Sequence, residues 1–219
     1  SLAMTLYGDL TPIVLNEKPA GRKPVKTRLV DPAKRDDMKK FLLKEVQTGN
    51  RLYWVVSRVE FDDEGGAKSV DEVAEELASF TSAWKVGAIH GQMDEEERDR
   101  ILGDFATGKI QVLVATTVIE VGVNVPEANL MVIDAPDRFG LAQLHQLRGR
   151  VGRGNQEAWC FLIVPQASPA HERLSRFAST DNGFEIAEMD MQDRGAGNLE
   201  GSEQSGAWVF RPFEVSGSA

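Results

Sequence analysis

Three segments stand in succession: Val86-Gly-Ala-Ile89, then Asp94-Glu-Glu-Glu-Arg-Asp-Arg-Ile-Leu-Gly-Asp-Phe105, then Val112-Leu-Val-Ala115. The outer two are apolar runs of strand length, and the middle one has helical length and an acidic first turn. Strand, helix and strand at this spacing predict a βαβ unit with parallel strands. The alternation extends both ways. Upstream, Asp31 and Pro32 read as N-cap and first residue of a helix through Met38, Phe41, Leu42 and Val46 that Gly49 stops. Leu52 to Val56 is a buried strand, and Val70 to Phe80 a helix through Val73, Ala74 and Leu77. Downstream, Leu130 to Ile133 and Trp159 to Val164 are strands, with a helix around Leu141 to Leu147 between them. Residues 31–165 are therefore expected to form a three-layer α/β/α domain around a mainly parallel sheet.

The flanks differ. Residues 1–30 hold Pro12, Pro19, Pro24 and the turn Gly21-Arg22-Lys23, which predict an extended connector with little core of its own. Leu2-Ala3-Met4 directly after Ser1 reads as the middle of an element, so the chain is expected to continue upstream. After Pro165, Ser168 to Ala178 and Gly183 to Met189 predict a helical hairpin, and the Gly-rich Arg194 to Gly206 a loop ordered by a partner. Residues 166–206 make up this unit, and residues 207–219 are expected to be a flexible tail.

The 219 residues carry 25 basic and 34 acidic side chains, a net charge of −9. At roughly 150 residues per domain this is one domain plus an appendage, large enough to bury about 70% of its unfolded surface without a staple. The acidic balance excludes a chain that coats nucleic acid over its whole surface, but permits a local basic strip. The single cysteine excludes a disulfide framework or a four-cysteine zinc site and fits a reducing, cytoplasmic compartment. No apolar run approaches the roughly 20 residues of a membrane span, and the first residues show no basic stretch followed by an apolar one, so a secretory signal is not expected.

Several motifs have plain explanations. Gly103-Asp-Phe-Ala-Thr-Gly108-Lys109 has P-loop spacing, yet Ile110 replaces the required Ser or Thr and the stretch closes a helix instead of opening one. No GxGxxG follows the first strand. The acidic run at Asp94 reads as a helix start, with Asp94 capping and Glu97 closing a capping box. His90, His145 and His171 are far apart, so no metal site is expected. Cys160 among Trp159, Phe161 and Leu162 reads as a packed core thiol.

The stretch from Arg138 to Arg153 is different: Arg138, Arg148, Arg150 and Arg153 occur with no acidic residue. Gly149 and Gly152 interrupt the helix there, which frees Arg150 and Arg153 to point outward from a tight turn. Planar guanidinium forks suit bidentate contact to phosphate oxygens.

Gln146-Leu-Arg-Gly-Arg-Val-Gly-Arg153 resembles motif VI of superfamily 2 helicases, and Ala115-Thr-Thr-Val-Ile-Glu-Val-Gly-Val-Asn-Val-Pro126 resembles their motif V. Arg51-Leu-Tyr-Trp-Val-Val-Ser57 and Ile89-His-Gly91 are similar to motifs IV and IVa. Leu2 to Leu10 (Leu-Ala-Met-Thr-Leu-Tyr-Gly-Asp-Leu), Pro19-Ala-Gly-Arg-Lys-Pro24 and Arg138-Phe-Gly-Leu-Ala-Gln143 resemble the RecG family of branched-DNA helicases. The resemblance runs from about residue 2 to residue 206. The transcription–repair coupling translocases share motif VI and the following hairpin; a non-catalytic nucleic-acid or partner-binding module on the same fold is a further alternative.

In such helicases two RecA-like domains sandwich ATP; the first carries the P-loop and the acidic Mg²⁺ motif, the second motifs IV to VI. The resemblance thus implies a second RecA-like motor domain, incomplete without a P-loop domain and inactive alone. Its implied partners are branched DNA and the first RecA-like and DNA-binding domains of the same parent, its cofactors ATP with Mg²⁺, and its setting recombination and repair. Arg153 would be the arginine finger, Arg150 its partner on the phosphates, and Gln146 an orienting group. Gly122 and Asn124 would meet the nucleotide, Asn124 standing where the family often has Asp. Thr116, Thr117, His90 and Gly91 would lie near the DNA backbone. The hairpin resembles the family's translocation motif, in which Arg173, Arg194 and Gln204 would relay domain closure to the duplex. Glu203 departs from the arginine expected there, and the tail from Trp208 does not continue as the family does.

Overall fold

The backbone of residues 23–57, 69–116, 125–154 and 156–200 is described in a computed structural model, with side chains to Asp193. Strand β1 (Val25–Val30) leads through a 3₁₀ turn (Pro32–Lys34) into helix α1 (Arg35–Gln47). Strand β2 (Arg51–Val55), helix α2 (Val70–Phe80), strand β3 (Val86–Ile89), helix α3 (Glu95–Thr107) and strand β4 (Val112–Ala115) follow. Next come strand β5 (Ala128–Asp134), helix α4 (Leu141–Arg148), strand β6 (Ala158–Ile163), and helices α5 (His171–Ser179) and α6 (Gly183–Glu200).

Among the described residues the strands form one six-stranded sheet, ordered β1-β6-β5-β2-β4-β3, and every neighbouring pair is parallel. Parallel strands covered on both faces read as unbroken apolar runs, because successive side chains enter opposite cores. Leu52, Trp54, Val112, Val114, Leu130 and Val132 enter one core with Met38 and Leu42 of α1 and Val73 and Leu77 of α2. Tyr53, Val55, Leu113, Met131, Ile133 and Leu162 enter the other, with Phe105 of α3, Leu144 of α4, Phe177 of α5 and Ile186 of α6. Each large side chain buried this way contributes about 1.5–3 kcal/mol. The three-layer α/β fold expected from the sequence is the fold observed.

Four local features differ from the sequence reading. Val25–Val30, expected within the connector, forms an edge strand on Ala158–Ile163. Its exposed Lys26 and Arg28 disguise it, and such charges on an edge discourage pairing with other chains. Asp94 sits at the N-cap of α3 but makes no side-chain cap bond. The capping box is instead at α2, where Ser69 Oγ accepts from Glu72 N at 3.2 Å and Glu72 Oε2 from Ser69 N at 2.7 Å. Finally, α6 continues to Glu200, into the first part of the segment expected to be a loop, since extending a helix already anchored by Ile186 costs far less than nucleating one; residues 201–206 lie outside the described residues.

Other expectations hold. Asp31 caps the 3₁₀ turn through Ala33 N at 2.9 Å, with Pro32 opening it. The P-loop-like stretch is a helix end: Gly108 (φ +80°) caps α3 and Lys109 Nζ lies 2.9 Å from Asp104 Oδ1. Cys160 is completely buried, and burial pushes its thiol up to about 12 against the opposing charge of Arg148. No helix among the described residues is long and apolar enough to cross a membrane.

Candidate functional site

Leu141, Leu144 and Leu147 place one face of α4 in the core and leave Gln146 exposed on the opposite face. The helix ends at Gly149, whose N–H donates to His145 O at 2.9 Å, and Arg150 N closes the turn on Leu147 O at 2.9 Å. Val151 is fully buried and plugs the turn into the core. Gly152 has φ +70°, and a Cβ there would stand 2.9 Å from Ala158 Cβ and 3.2 Å from Val25 Cγ2. Only glycine turns in the left-handed region while pressed this closely against two strands. Its N–H donates to Ala128 O at 3.4 Å, which ties the turn to the start of β5.

With Val151 and Gly152 turned inward, Arg150 is left half-buried and Arg153 exposed. Burial raises the pKa of the Tyr53 hydroxyl, while Arg153 and Arg150 pull it back, so both cations lie within electrostatic reach of that ring. Gln156, just past the loop, accepts from Asn129 Nδ2 at 3.1 Å, and Asn129 also donates to Asn50 Oδ1 at 3.0 Å. Backbone bonds thus hold Gly149 and Gly152, and a side-chain bond holds Gln156. Preorganised cations of this kind cost little reorganisation when they meet an anion.

Arg148 leaves the set suggested by the sequence. It is 3% exposed and turned inward, bonded to Thr27 Oγ1 at 3.3 Å and Phe177 O at 3.2 Å. Burial lowers its pKa while Asp181 opposes the shift; an arginine stays cationic in either case.

The remaining candidates fall into groups. His90 and Gly91 follow β3 and Thr116 follows β4, so these three share the carboxyl edge of the sheet. The arginine loop lies at the opposite edge, against Ala128 and Pro126 at the start of β5. The two edges are separated by a strand length, about 20 Å at ~3.3 Å per residue. Arg173 of α5 donates to Asp137 O at 3.2 Å and to Phe139 O at 3.5 Å, which fastens α5 to the turn before α4. Arg194 lies in the helical backbone of α6, beyond the described side chains. Thr117, Gly122, Asn124 and Gln204 lie outside the described residues. There is no cluster of three or more His, Cys, Asp or Glu among the described residues that could hold a metal ion.

Sequence reasoning missed Asp190. Its Oδ1 accepts from Leu141 N at 2.9 Å and supplies α4 with the N-terminal cap that Gly140 lacks. The available signal was a polar residue one turn after the buried Ile186, on the apolar side of α6.

Residues 33–155, more than half of the chain, match the family described as the helicase conserved C-terminal domain. The ATP-dependent DNA helicase RecG of Thermotoga maritima is 46% identical over 217 residues, 98% of this chain and 28% of that protein. Its counterpart in Escherichia coli K12 is 41% identical over 218 residues, 98% of this chain and 32% of that protein. The chain thus spans about a third or less of the curated relatives it matches. A solved structure of RecG bound to a three-way DNA junction superimposes with a TM-score of 0.70 at 46% identity, covering 84% of this chain and 24% of that one. A DEAD box protein from Methanococcus jannaschii shares the fold at a TM-score of 0.51 and 21% identity, over 74% of this chain and 40% of its own. The chain belongs to the helicase conserved C-terminal domain family, and over nearly its whole length it resembles the RecG helicases.

Proposed function

We propose that this chain is the second motor lobe of an ATP-dependent helicase or translocase that acts on branched DNA in recombination and repair. The observation that carries the reading is the glycine-bounded loop that holds Arg150 and Arg153 at one edge of the sheet. Relatives named as RecG helicases, one of them solved on a three-way junction, support the choice of branched DNA.

ATP and Mg²⁺ would be held mainly by a P-loop lobe, and this lobe would close onto the phosphates. Arg153 would reach the terminal phosphoryl group as arginine finger, with Arg150 beside it and Gln146 orienting. An arginine finger is worth about 10³–10⁵ in rate, because it neutralises charge that grows in the transition state. Gly122 and Asn124 would contact the nucleotide, and Pro126, two residues after Asn124, abuts Gly154 beside Arg153. At the other edge His90, Gly91, Thr116 and Thr117 would follow the DNA backbone. Arg173, Arg194 and Gln204 would pass the closure on to the duplex.

The test joins this chain to its P-loop lobe. Arg153→Ala is expected to abolish DNA-stimulated ATP turnover while junction binding survives. Turnover equal to that of the parent would remove Arg153 from the role.

A further inference from the structure

Helix α4, which carries the arginine loop at its end, is gripped at both ends by the α5–α6 hairpin. At its start, Asp190 of α6, 8% exposed, accepts from Leu141 N at 2.9 Å. At its finish, the Arg148 guanidinium lies 4.3 Å from the centre of the Phe177 ring of α5 and donates to Phe177 O at 3.2 Å. It also stands 3.6 Å from Asp181, between α5 and α6, donates to Thr27 Oγ1 of β1 at 3.3 Å, and reaches His145 Nδ1 at 3.2 Å. Gly183, the first residue of α6, closes on the same His145 ring: a Cβ there would be 3.2 Å from Nε2.

A buried arginine is a poor choice for stability alone, since an apolar side chain of similar volume usually does as well. What a buried charge adds is intolerance of partial undocking: remove the hairpin, and Arg148 loses Asp181 and the Phe177 carbonyl together. Partial undocking would thus leave a buried cation short of two of its partners. Arg148 directly precedes Gly149, where the arginine loop begins.

We propose that Arg148 and Asp190 are positioning residues: they make the seating of α4, and with it the placing of Arg150 and Arg153, conditional on the docked hairpin. The consequence for turnover rests on the phosphate role proposed above for those two arginines; the structural clamp does not.

Both parts can be tested with Asp190→Ala, Asp190→Asn and Arg148→Met. In the protein joined to its P-loop lobe, Asp190→Ala and Arg148→Met are expected to lower DNA-stimulated kcat at least tenfold, with the KM for ATP within twofold of the parent. Asp190→Asn keeps a carbonyl oxygen for Leu141 N–H and should recover to within threefold. Hydrogen exchange of the 219-residue chain, with no nucleotide present, should show the Leu141 amide deprotected by Asp190→Ala and protected again in Asp190→Asn. Unchanged kcat, equal damage from Ala and Asn at 190, or a raised KM for ATP in Arg148→Met (a direct phosphate contact) would overturn the positioning role. If Arg148→Met does not fold, the two Asp190 variants decide. If Arg153→Ala leaves turnover intact, the phosphate role falls, and the exchange comparison still judges the clamp: equal protection of Leu141 in Asp190→Ala and the parent would refute it.

Discussion

A methyl group at Gly152 would meet the Cβ of Ala158, a short side chain on a strand that cannot swing away, in a backbone conformation that disfavours any side chain. The left-handed turn costs about 1–2 kcal/mol and the overlap about 1–3 kcal/mol. Gly152→Ala should therefore lower stability by about 2–5 kcal/mol in urea unfolding. Gly91 has open space where its Cβ would be, so Gly91→Ala should stay within about 0.5 kcal/mol of the parent. That contrast lets any loss of DNA binding by Gly91→Ala be read as a lost contact. Cys160 is a second test at this scale. With its thiol buried and raised to about 12, it should resist iodoacetamide at neutral pH and react fully in urea, as mass spectrometry would register.

At the scale of elements, helix starts separate by whether the cap is made. Ser69→Ala removes the Oγ acceptor of the reciprocal pair at α2, leaving the backbone N–H bond to Glu72, and should cost about 1 kcal/mol. Asp94→Ala at α3 loses only the attraction of a carboxylate to the helix dipole, about 0.5 kcal/mol or less, since no cap bond exists there. Denaturant midpoints of the two variants give the comparison. The same pair shows what a sequence conveys about elements. Strands β2 to β6 were legible because their residues fill two cores and leave no polar face, whereas β1 hides behind Lys26 and Arg28. Arg150 and Arg153 were legible because glycines announce the turn that exposes them. The inward course of Arg148 was not, because its partners Thr27 and Phe177 stand 121 and 29 residues away in the chain. Ser69 and Asp94 look equivalent in sequence, and only the orientation of each side chain tells them apart.

Over the molecule as a whole, the described candidates at His90, Gly91 and Thr116 and those in the arginine loop occupy opposite edges of one sheet, with the buried strands between them. The sequence carries no P-loop pattern, and under the phosphate role proposed above the two arginines would serve a nucleotide held by another lobe. The purified 219-residue chain should release no phosphate from ATP, with or without branched DNA, and joining it to its P-loop lobe should restore DNA-stimulated release. Turnover by the isolated chain would refute the division of labour.

The sealed position of Val151 and the wedging of Gly152 between two strands have a kinetic consequence. Loose surface arginines find an anion by flipping rotamers in picoseconds to nanoseconds. Here buried Val151 and wedged Gly152 pin the backbone between Arg150 and Arg153, so under the phosphate role proposed above their delivery would wait on the travel of an entire lobe, an event of microseconds to milliseconds. The pace of that swing, and not the agility of either side chain, would then set how soon charge could arrive.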